Sequence, residues 1–403
     1  MRIQWLPLII ALVANIACDY YIYAKLAKAF AQQRWVKLSH SILSALLLIY
    51  VIVAVALPRR SIDNNGLVAI MWMLYSYFTF YVPKYIGIII YWIGLIPSLL
   101  QKRKTAKSKV PSIIATATGL LIFITMWWGV LITRYDYEIK EVTLEYDNLP
   151  ERFDGYRIAQ FSDLHLGSYA GDTAYVSSLV DAINGTKCDI IFFTGDLVNR
   201  QTDEAEPYIA TLGRLHARDG VYSILGNHDY GDYKSWETPE AKMRNLQYMG
   251  EVQAKMGWHL MNNCDTCIKL GSDSITIIGV ENWGEPPFSQ YGKLSVAHPT
   301  LNDSNFKILL SHNPRHWRGE VLPLSNIDLM LAGHTHAMQI ELDIFGHRLS
   351  PSAWIYPEWG GVYKEDGQIL YVNIGIGEVA MPMRIGATPE ITVITLKKTQ
   401  TSE

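Results

Sequence analysis

A chain of 403 residues is too long for one compact core and divides into two or three units at about 150 residues each. A formal net charge of -3, with 18% charged residues, excludes the basic footprint of a nucleic-acid binder. The 12 Trp, 24 Tyr and 49% hydrophobic residues exceed what a soluble enzyme carries, and the excess lies in the first third.

A helix needs about 20 apolar residues to cross the hydrocarbon core of a bilayer. Four apolar runs follow one another: Ile3 to Ala24, Ser41 to Leu57, Leu67 to Leu100 (interrupted by Pro83 and Lys84) and Val110 to Thr133. The last holds Trp127-Trp128 near its end, where an interfacial ring fits. Only Arg2 precedes the first run and no small-x-small site follows, so it reads as a retained helix rather than a signal peptide. The first loop carries Lys25, Lys28, Arg34 and Lys37, and the second Arg59 and Arg60 against Asp63. The third carries Lys102, Arg103, Lys104, Lys107 and Lys109. With four spans the first and third loops share a side, which the Lys/Arg excess makes cytoplasmic. The N-terminus and everything after Thr133 then lie outside. Two spans within 67–100 would split the basic loops across the membrane, so one long or kinked helix is expected there. The division is residues 1–134, a transmembrane region of about four helices, and residues 135–403, a globular domain on the extracytoplasmic side of the inner (plasma) membrane.

From Tyr135 onward, short Ile/Val/Phe runs alternate with amphipathic segments, the pattern of an α/β domain. Strands are expected at Tyr156 to Ser162, Asp189 to Thr194, Val221 to Leu225, Ile275 to Val280, Phe306 to Leu310, Ile327 to Leu331, Ile369 to Ile374 and Ile391 to Leu396. Helices are expected at Tyr175 to Ile183, Glu206 to Leu215 and Glu237 to Met256. Cys264 and Cys267 form one C-x-x-C, too few thiolates for a four-cysteine zinc site. A local disulfide there is open if the domain lies outside the cytoplasm.

Five strand ends carry polar clusters: Ser162-Asp163-Leu164-His165, Thr194-Gly195-Asp196-Leu197-Val198-Asn199, Gly226-Asn227-His228-Asp229, Ser311-His312-Asn313 and Gly333-His334-Thr335-His336. Ligand sites in open α/β sheets lie at such ends. In an extended Asp-x-His or His-x-His the two side chains point to one side and can grip one point. Each residue alone reads equally well as a cap or a turn; together they make a site. His40, His216, His259, His298, His316 and His347 lack such company and are expected to be surface or structural.

Asp163, His165, Asp196, Asn227, His312, His334 and His336 are an O/N ligand set without thiolate, suited to Mn, Fe or Zn. They are too many for one tetrahedral ion and fit two divalent metal ions. Two ions about 3.5–4 Å apart clamp the oxygens of an in-line displacement at phosphorus, and a hydroxide bridging them is the nucleophile. Asp196 is the expected bridge. Asn227 ligates without adding negative charge. His228 is the expected proton donor to the leaving oxygen, with Asp229 orienting its imidazole. Gly279 to Gly284 and Tyr356 to Trp359 are candidates to line the pocket.

In order, Asp163-x-His165, Gly195-Asp196, Gly226-Asn227-His228-Asp229, His312 and Gly333-His334-Thr335-His336 resemble the motifs of the calcineurin-like metallophosphoesterases. The resemblance runs from Arg157 to the C-terminus. It is greatest to the bacterial membrane-anchored branch, including Leu310-Ser311-His312-Asn313-Pro314 and Tyr371-Val372-Asn373. It implies a four-layer α/β/β/α sandwich. One metal would be held by Asp163, His165, Asp196 and His336, the other by Asp196, Asn227, His312 and His334, with His228 the donor. Asn199 stands where many relatives have Asp, so it is expected to hydrogen-bond rather than ligate. Ala337 and Met338 replace two glycines usual in that branch and would alter the pocket rim. Members of the family hydrolyse phosphomonoesters, phosphodiesters and pyrophosphates. The leading expectation is a membrane-anchored phosphohydrolase acting on a phosphate ester, a phospholipid or lipid-linked phosphate among the candidates. The alternative is a transporter or sensor with a metal-binding regulatory domain. Against it, the spans carry only Asp19 and Lys84 as charges, a poor conduction path.

Overall fold

The computed structural model describes residues 5–100, 109–286 and 289–399. Four of the five basic residues expected to orient the third loop, Lys102, Arg103, Lys104 and Lys107, lie outside that range. The chain forms two compact units. One comprises Met1–Ile62 and Ala69–Trp128; the other comprises Asp63–Val68 and Gly129–Glu403.

The first unit is built from α1 (Trp5–Ala29), α2 (Arg34–Ala56), α3 (Asn64–Leu100) and α4 (Val110–Leu131). All four are long and apolar enough to cross a bilayer. The stretch from 67 to 100 is one helix, with Pro83 and Pro97 inside it. Aliphatic side chains of all four helices point outward, as at Ile9, Ile49, Ile93 and Leu121, where lipid replaces water. The polar groups turn inward. Lys84 pairs with Asp19 at 2.8 Å and Tyr81 donates to the same carboxylate at 2.7 Å. Neither charge is left unpaired in this apolar setting.

The second unit holds two six-stranded sheets. Along the chain the strands and main helices are β1 (Glu138–Tyr146), β2 (Arg157–Phe161), α5 (Ala174–Gly185), β3 (Ile190–Phe193), α6 (Ile209–Leu212), β4 (Val221–Ser223), α7 (Pro239–Lys255), β5 (His259–Leu260), β6 (Cys264–Leu270), β7 (Asp273–Gly279), β8 (Lys307–Leu310), β9 (Leu329–Ala332), β10 (Leu342–Ile344), β11 (His347–Leu349), β12 (Gly361–Glu365), β13 (Gln368–Val372) and β14 (Glu390–Lys398). One sheet has the order β1-β14-β2-β3-β4-β5 and the other β12-β13-β9-β8-β7-β6, with β10 and β11 a separate hairpin. Strand alternation explains the cores. Ile158, Ile190 and Phe192 share a buried cluster with Ile277, Ile308, Leu310, Leu329 and Leu331 of the other sheet. Their neighbours Ala159, Phe161, Ile191 and Phe193 face Val176, Leu179 and Val180 of α5 and Met249 and Val252 of α7. Each such aliphatic side chain contributes roughly 1.5–3 kcal/mol by leaving water.

Register places the functional loops. β2, β3 and β4 run parallel, with Phe161 opposite Phe193 and Phe193 opposite Ser223. β8 and β9 run parallel with Leu310 opposite Leu331. All five polar strand ends therefore leave their sheets at carboxyl edges. One expected helix needs correction. In the segment 206–215, the first three residues close a 3-10 helix (Thr202–Tyr208) with Pro207 inside it, and only the single turn α6 is α-helical. Cys264 and Cys267 are three apart on β6, so strand alternation sends them to opposite faces, and both are free. β1, β5, β6 and β10 to β12 were not foreseen.

At the head of the second unit, Arg134 is buried and ion-paired with buried Glu378, joining the chain that leaves α4 to the loop before β14. Burial pushes the Glu378 carboxyl up to about 7 in spite of that arginine and Arg384.

Candidate metal centre

The strand ends converge on one buried point. Asp163, His165 and His336 form one group of potential ligand atoms, and Asp196, His312 and His334 a second. His336 Nε2 lies 3.2 Å from Asp163 Oδ1 and 3.1 Å from His165 Nε2. His312 Nε2 lies 3.1 Å from Asp196 Oδ2, and His334 Nδ1 lies 3.2 Å from His312 Nε2. The groups meet at Asp196, whose Oδ2 is also 3.6 Å from His165 Nε2. Asn227 aims a buried side-chain oxygen that has no hydrogen-bond partner, while its amide nitrogen donates to the Tyr233 hydroxyl at 2.9 Å.

The paired motifs are not extended, as the sequence suggested. Asp163, His165, Asp196, His334 and His336 have φ of 57°, 47°, 60°, 74° and 50°. Left-handed backbone is uncommon outside glycine, though Asp and His tolerate it better than most. It folds the chain back so that both members of each pair reach one centre. Gly226 is needed for close approach rather than for a turn. A Cβ there would stand 2.2 Å from Asp196 Oδ1, and Gly333 is held as tightly against Asp163.

Protonation follows from burial. It pushes His165 and His334 down to about 3, past what the neighbouring carboxylates restore, so both rings are neutral donors. At His312 burial acts the same way, but Asp196 and Asp163 outweigh it and push the ring up to about 9. Burial alone would raise Asp163, yet the His336 and His312 imidazoles hold it below the usual carboxylate range. Second nitrogens are oriented too. His312 Nδ1 donates to the Thr194 carbonyl at 2.7 Å, and His334 Nε2 is 2.8 Å from the Tyr356 hydroxyl. Crowded carboxylates, the neutral His165 and His334 imidazoles and an orphaned amide oxygen fit divalent cations well.

His228 stands beside the ligand groups. Its backbone N–H donates to Asp196 Oδ1 at 2.8 Å and its Nδ1 is 2.7 Å from the Asn199 carbonyl. The ring stacks on Tyr233 with centroids 4.3 Å apart. Asp229 does not orient this imidazole. It is fully buried and accepts from the backbone N–H groups of Asp196, Leu197, Val198 and Gly226 at 2.9–3.2 Å. Four amides saturate it, so the ring is held by Asn199 instead. Asn199 is a hydrogen-bonding residue: its side chain donates to Ser168 at 3.1 Å and its N–H to Glu204 at 2.6 Å.

A cavity of about 220 Å³ opens beside His334 and Asn227, lined also by Tyr233, Asn282, Arg315 and Tyr356. Of the residues expected at its wall, Trp283 instead packs flat on buried His316, and Trp359 is buried with its carbonyl taken by Thr335. Tyr233 and Arg384 were not foreseen. Arg384 is wholly buried, with Nη2 3.3 Å from His336 Nδ1. An arginine amid the apolar residues 381–385 was the one available signal; Tyr233 offered none.

The model of the calcineurin-like phosphoesterase family matches residues 156–338, and that of a probable calcineurin-like phosphoesterase transmembrane domain matches residues 1–134. An uncharacterized metallophosphoesterase of Bacillus subtilis, YkuE, is 34% identical over 270 residues, 65% of this chain and 86% of that protein. A transmembrane protein with metallophosphoesterase domain from Danio rerio is 27% identical over 313 residues, 74% of this chain and 67% of that protein. The UDP-2,3-diacylglucosamine pyrophosphatase LpxG of Chlamydia trachomatis is 27% identical over 314 residues, 66% of this chain and 92% of that protein.

Proposed function

Because the chain belongs to the calcineurin-like phosphoesterases and is a membrane metallophosphoesterase, we propose that it hydrolyses a lipid-linked phosphate or pyrophosphate at a centre of two divalent cations on the outer side of the inner membrane. The observation that carries this reading is the pair of ligand groups meeting at Asp196. In this reading residues 1–134 form the anchor and residues 135–403 carry the catalytic machinery.

Asp163, His165 and His336 would hold one ion and Asn227, His312 and His334 the other, with Asp196 shared. Ions bound there, Mn, Fe or Zn, would supply Lewis-acid activation of water and neutralise phosphate charge. The neutral Asn227 amide adds no negative charge beside an anionic ester. His228 keeps its Nδ1 proton on the Asn199 carbonyl, so the proton it gives to the leaving oxygen is the one on Nε2. Tyr356 accepts from His334 Nε2, leaving Nδ1 for the centre. The similarity to a pyrophosphatase named for a diacylated sugar nucleotide supports an acyl-bearing substrate.

The test is a screen of the full chain in lipid nanodiscs, loaded in turn with Mn, Fe and Zn. Lipid phosphates and pyrophosphates should show higher kcat/KM than simple mono- and diesters. No hydrolysis of any phosphoric ester with any of these metals would sink the reading. Topology has its own test: a C-terminal reporter active only in the cytoplasm should stay silent.

A further inference from the structure

The chain that follows His336 turns apolar side chains out into solvent. β10 and β11 pair with Leu342 opposite Leu349, Asp343 opposite Arg348 and Ile344 opposite His347. Alternation puts Leu342, Ile344 and Leu349, with His347 beside the turn, on one face and Asp343 and Arg348 on the other. The polar face is engaged: Arg348 donates to Glu341 at 3.0 Å and lies over the Trp359 ring. The apolar face is uncovered, with Leu342, Ile344 and Leu349 exposed by 51%, 44% and 51%.

The hairpin tip points the same way. Phe345 is 99% exposed, and its φ of 54° precedes Gly346 at 80°, the paired positive values of a tight hairpin turn. Asn or Asp would occupy the first turn position at low cost. A phenylalanine carries a backbone penalty there, for a side chain that packs on nothing. Beyond β11, Trp354 is 89% exposed. Its neighbour Ile355 is half exposed and lines the cavity, and Tyr356 reaches His334. The apolar edge is thus continuous with the wall of the candidate metal centre.

What covers this edge follows from its root. Gly129, in the last turn of α4, accepts the Arg384 N–H through its carbonyl at 3.1 Å. Ile385 donates to the Gln339 carbonyl and accepts from the Glu341 N–H, each at 2.9 Å. Three backbone bonds therefore tie the end of a membrane span to the residue before Leu342. Exposed aliphatic and aromatic side chains at that root match the interfacial zone of a bilayer.

We propose that the β10–β11 hairpin and Trp354 dock on the bilayer surface and feed a membrane-resident phosphate ester into the cavity beside His334; the feeding step rests on the lipid-substrate reading above, the docking step does not. The probe is a nitrobenzoxadiazole label on Phe345→Cys, in the full chain carrying Cys264→Ser and Cys267→Ser. The protein is reconstituted in phosphatidylethanolamine and phosphatidylglycerol vesicles with nitroxide-labelled acyl chains. A label on Asp366→Cys, in the exposed turn between β12 and β13, is the reference. The Phe345 label should shift to the blue and be quenched by lipid, and the Asp366 label should not. Equal exposure of both labels to water overturns the docking and leaves the patch to a protein partner. Phe345→Asp with Trp354→Ser should lower kcat/KM on a bilayer-embedded ester about tenfold while leaving bis(p-nitrophenyl) phosphate turnover unchanged. An equal loss on both substrates, or none on the lipid, overturns the feeding step. Quenching needs no turnover, so a chain inactive on every ester would remove the phosphohydrolase reading while the labels still decide the docking.

Discussion

Asp196 does two things with one carboxylate: Oδ2 faces both ligand groups while Oδ1 accepts the His228 N–H. Asp196→Asn should therefore lose bound metal and turnover together, beyond the roughly 100-fold that loss of a supporting residue costs. Metal analysis beside steady-state kinetics checks it; retained metal with normal turnover would exclude a bridging role. His228→Ala should keep its metal yet slow esters with poor leaving groups by about 10²–10⁴-fold, sparing p-nitrophenyl esters. Wild-type speed on an alkyl ester would remove the acid role. Tyr356→Phe leaves His334 Nε2 without its acceptor and should weaken metal binding about tenfold, read by competition with a chelating dye. The polar strand ends were legible because Asp and His recur where an apolar run stops. The work of Asp229 was not, because its partners are backbone amides, three of them contributed by residues 196–198. A sequence shows which side chains exist, not which main-chain groups they will meet.

The loop after β3 is an element whose stability should depend on pH. Glu204, in the 3-10 segment Thr202–Tyr208, accepts the Asn199 N–H, and burial pushes its carboxyl up to about 7. The folded state then holds a proton that the unfolded chain releases near pH 4.5. Stability is fully present below that value and falls as pH rises toward 7, by at most about 3 kcal/mol. Glu204→Gln should flatten this slope in melting curves from pH 5 to 8; an unchanged slope would assign it elsewhere. Asp229→Ala should cost about 3 kcal/mol or more, since four buried N–H groups lose their shared acceptor in a dry interior. Central strands were legible because both faces are buried and they read as continuous apolar runs. Edge strands hid for the converse reason. In β1, Glu138, Lys140 and Glu141 interrupt the pattern, and in β6 the pair Cys264-x-x-Cys267 suggested chemistry where there is only alternation.

Across the whole molecule, the four-helix unit carries its own polar core. Asp19→Asn should strand Lys84 in apolar surroundings and cost about 3–5 kcal/mol, and adding Lys84→Met should restore most of it. Melting of the full chain in detergent would show whether the double substitution rescues the single one. The ion pair between Arg134 and Glu378 has a different consequence, one for anyone who severs the chain. A fragment begun at residue 135 would delete the cation and keep its carboxylate sealed inside, the costly way to break a buried pair. It would also lose Gly129, the acceptor for Arg384. The catalytic half thus ends, in folding terms, several residues inside the last span. Fragments begun at 129 should stay monodisperse where those begun at 135 aggregate, unless Glu378→Gln is added. The second unit counts residues 129–134 among its own, so a cut at residue 135 should release no intact catalyst.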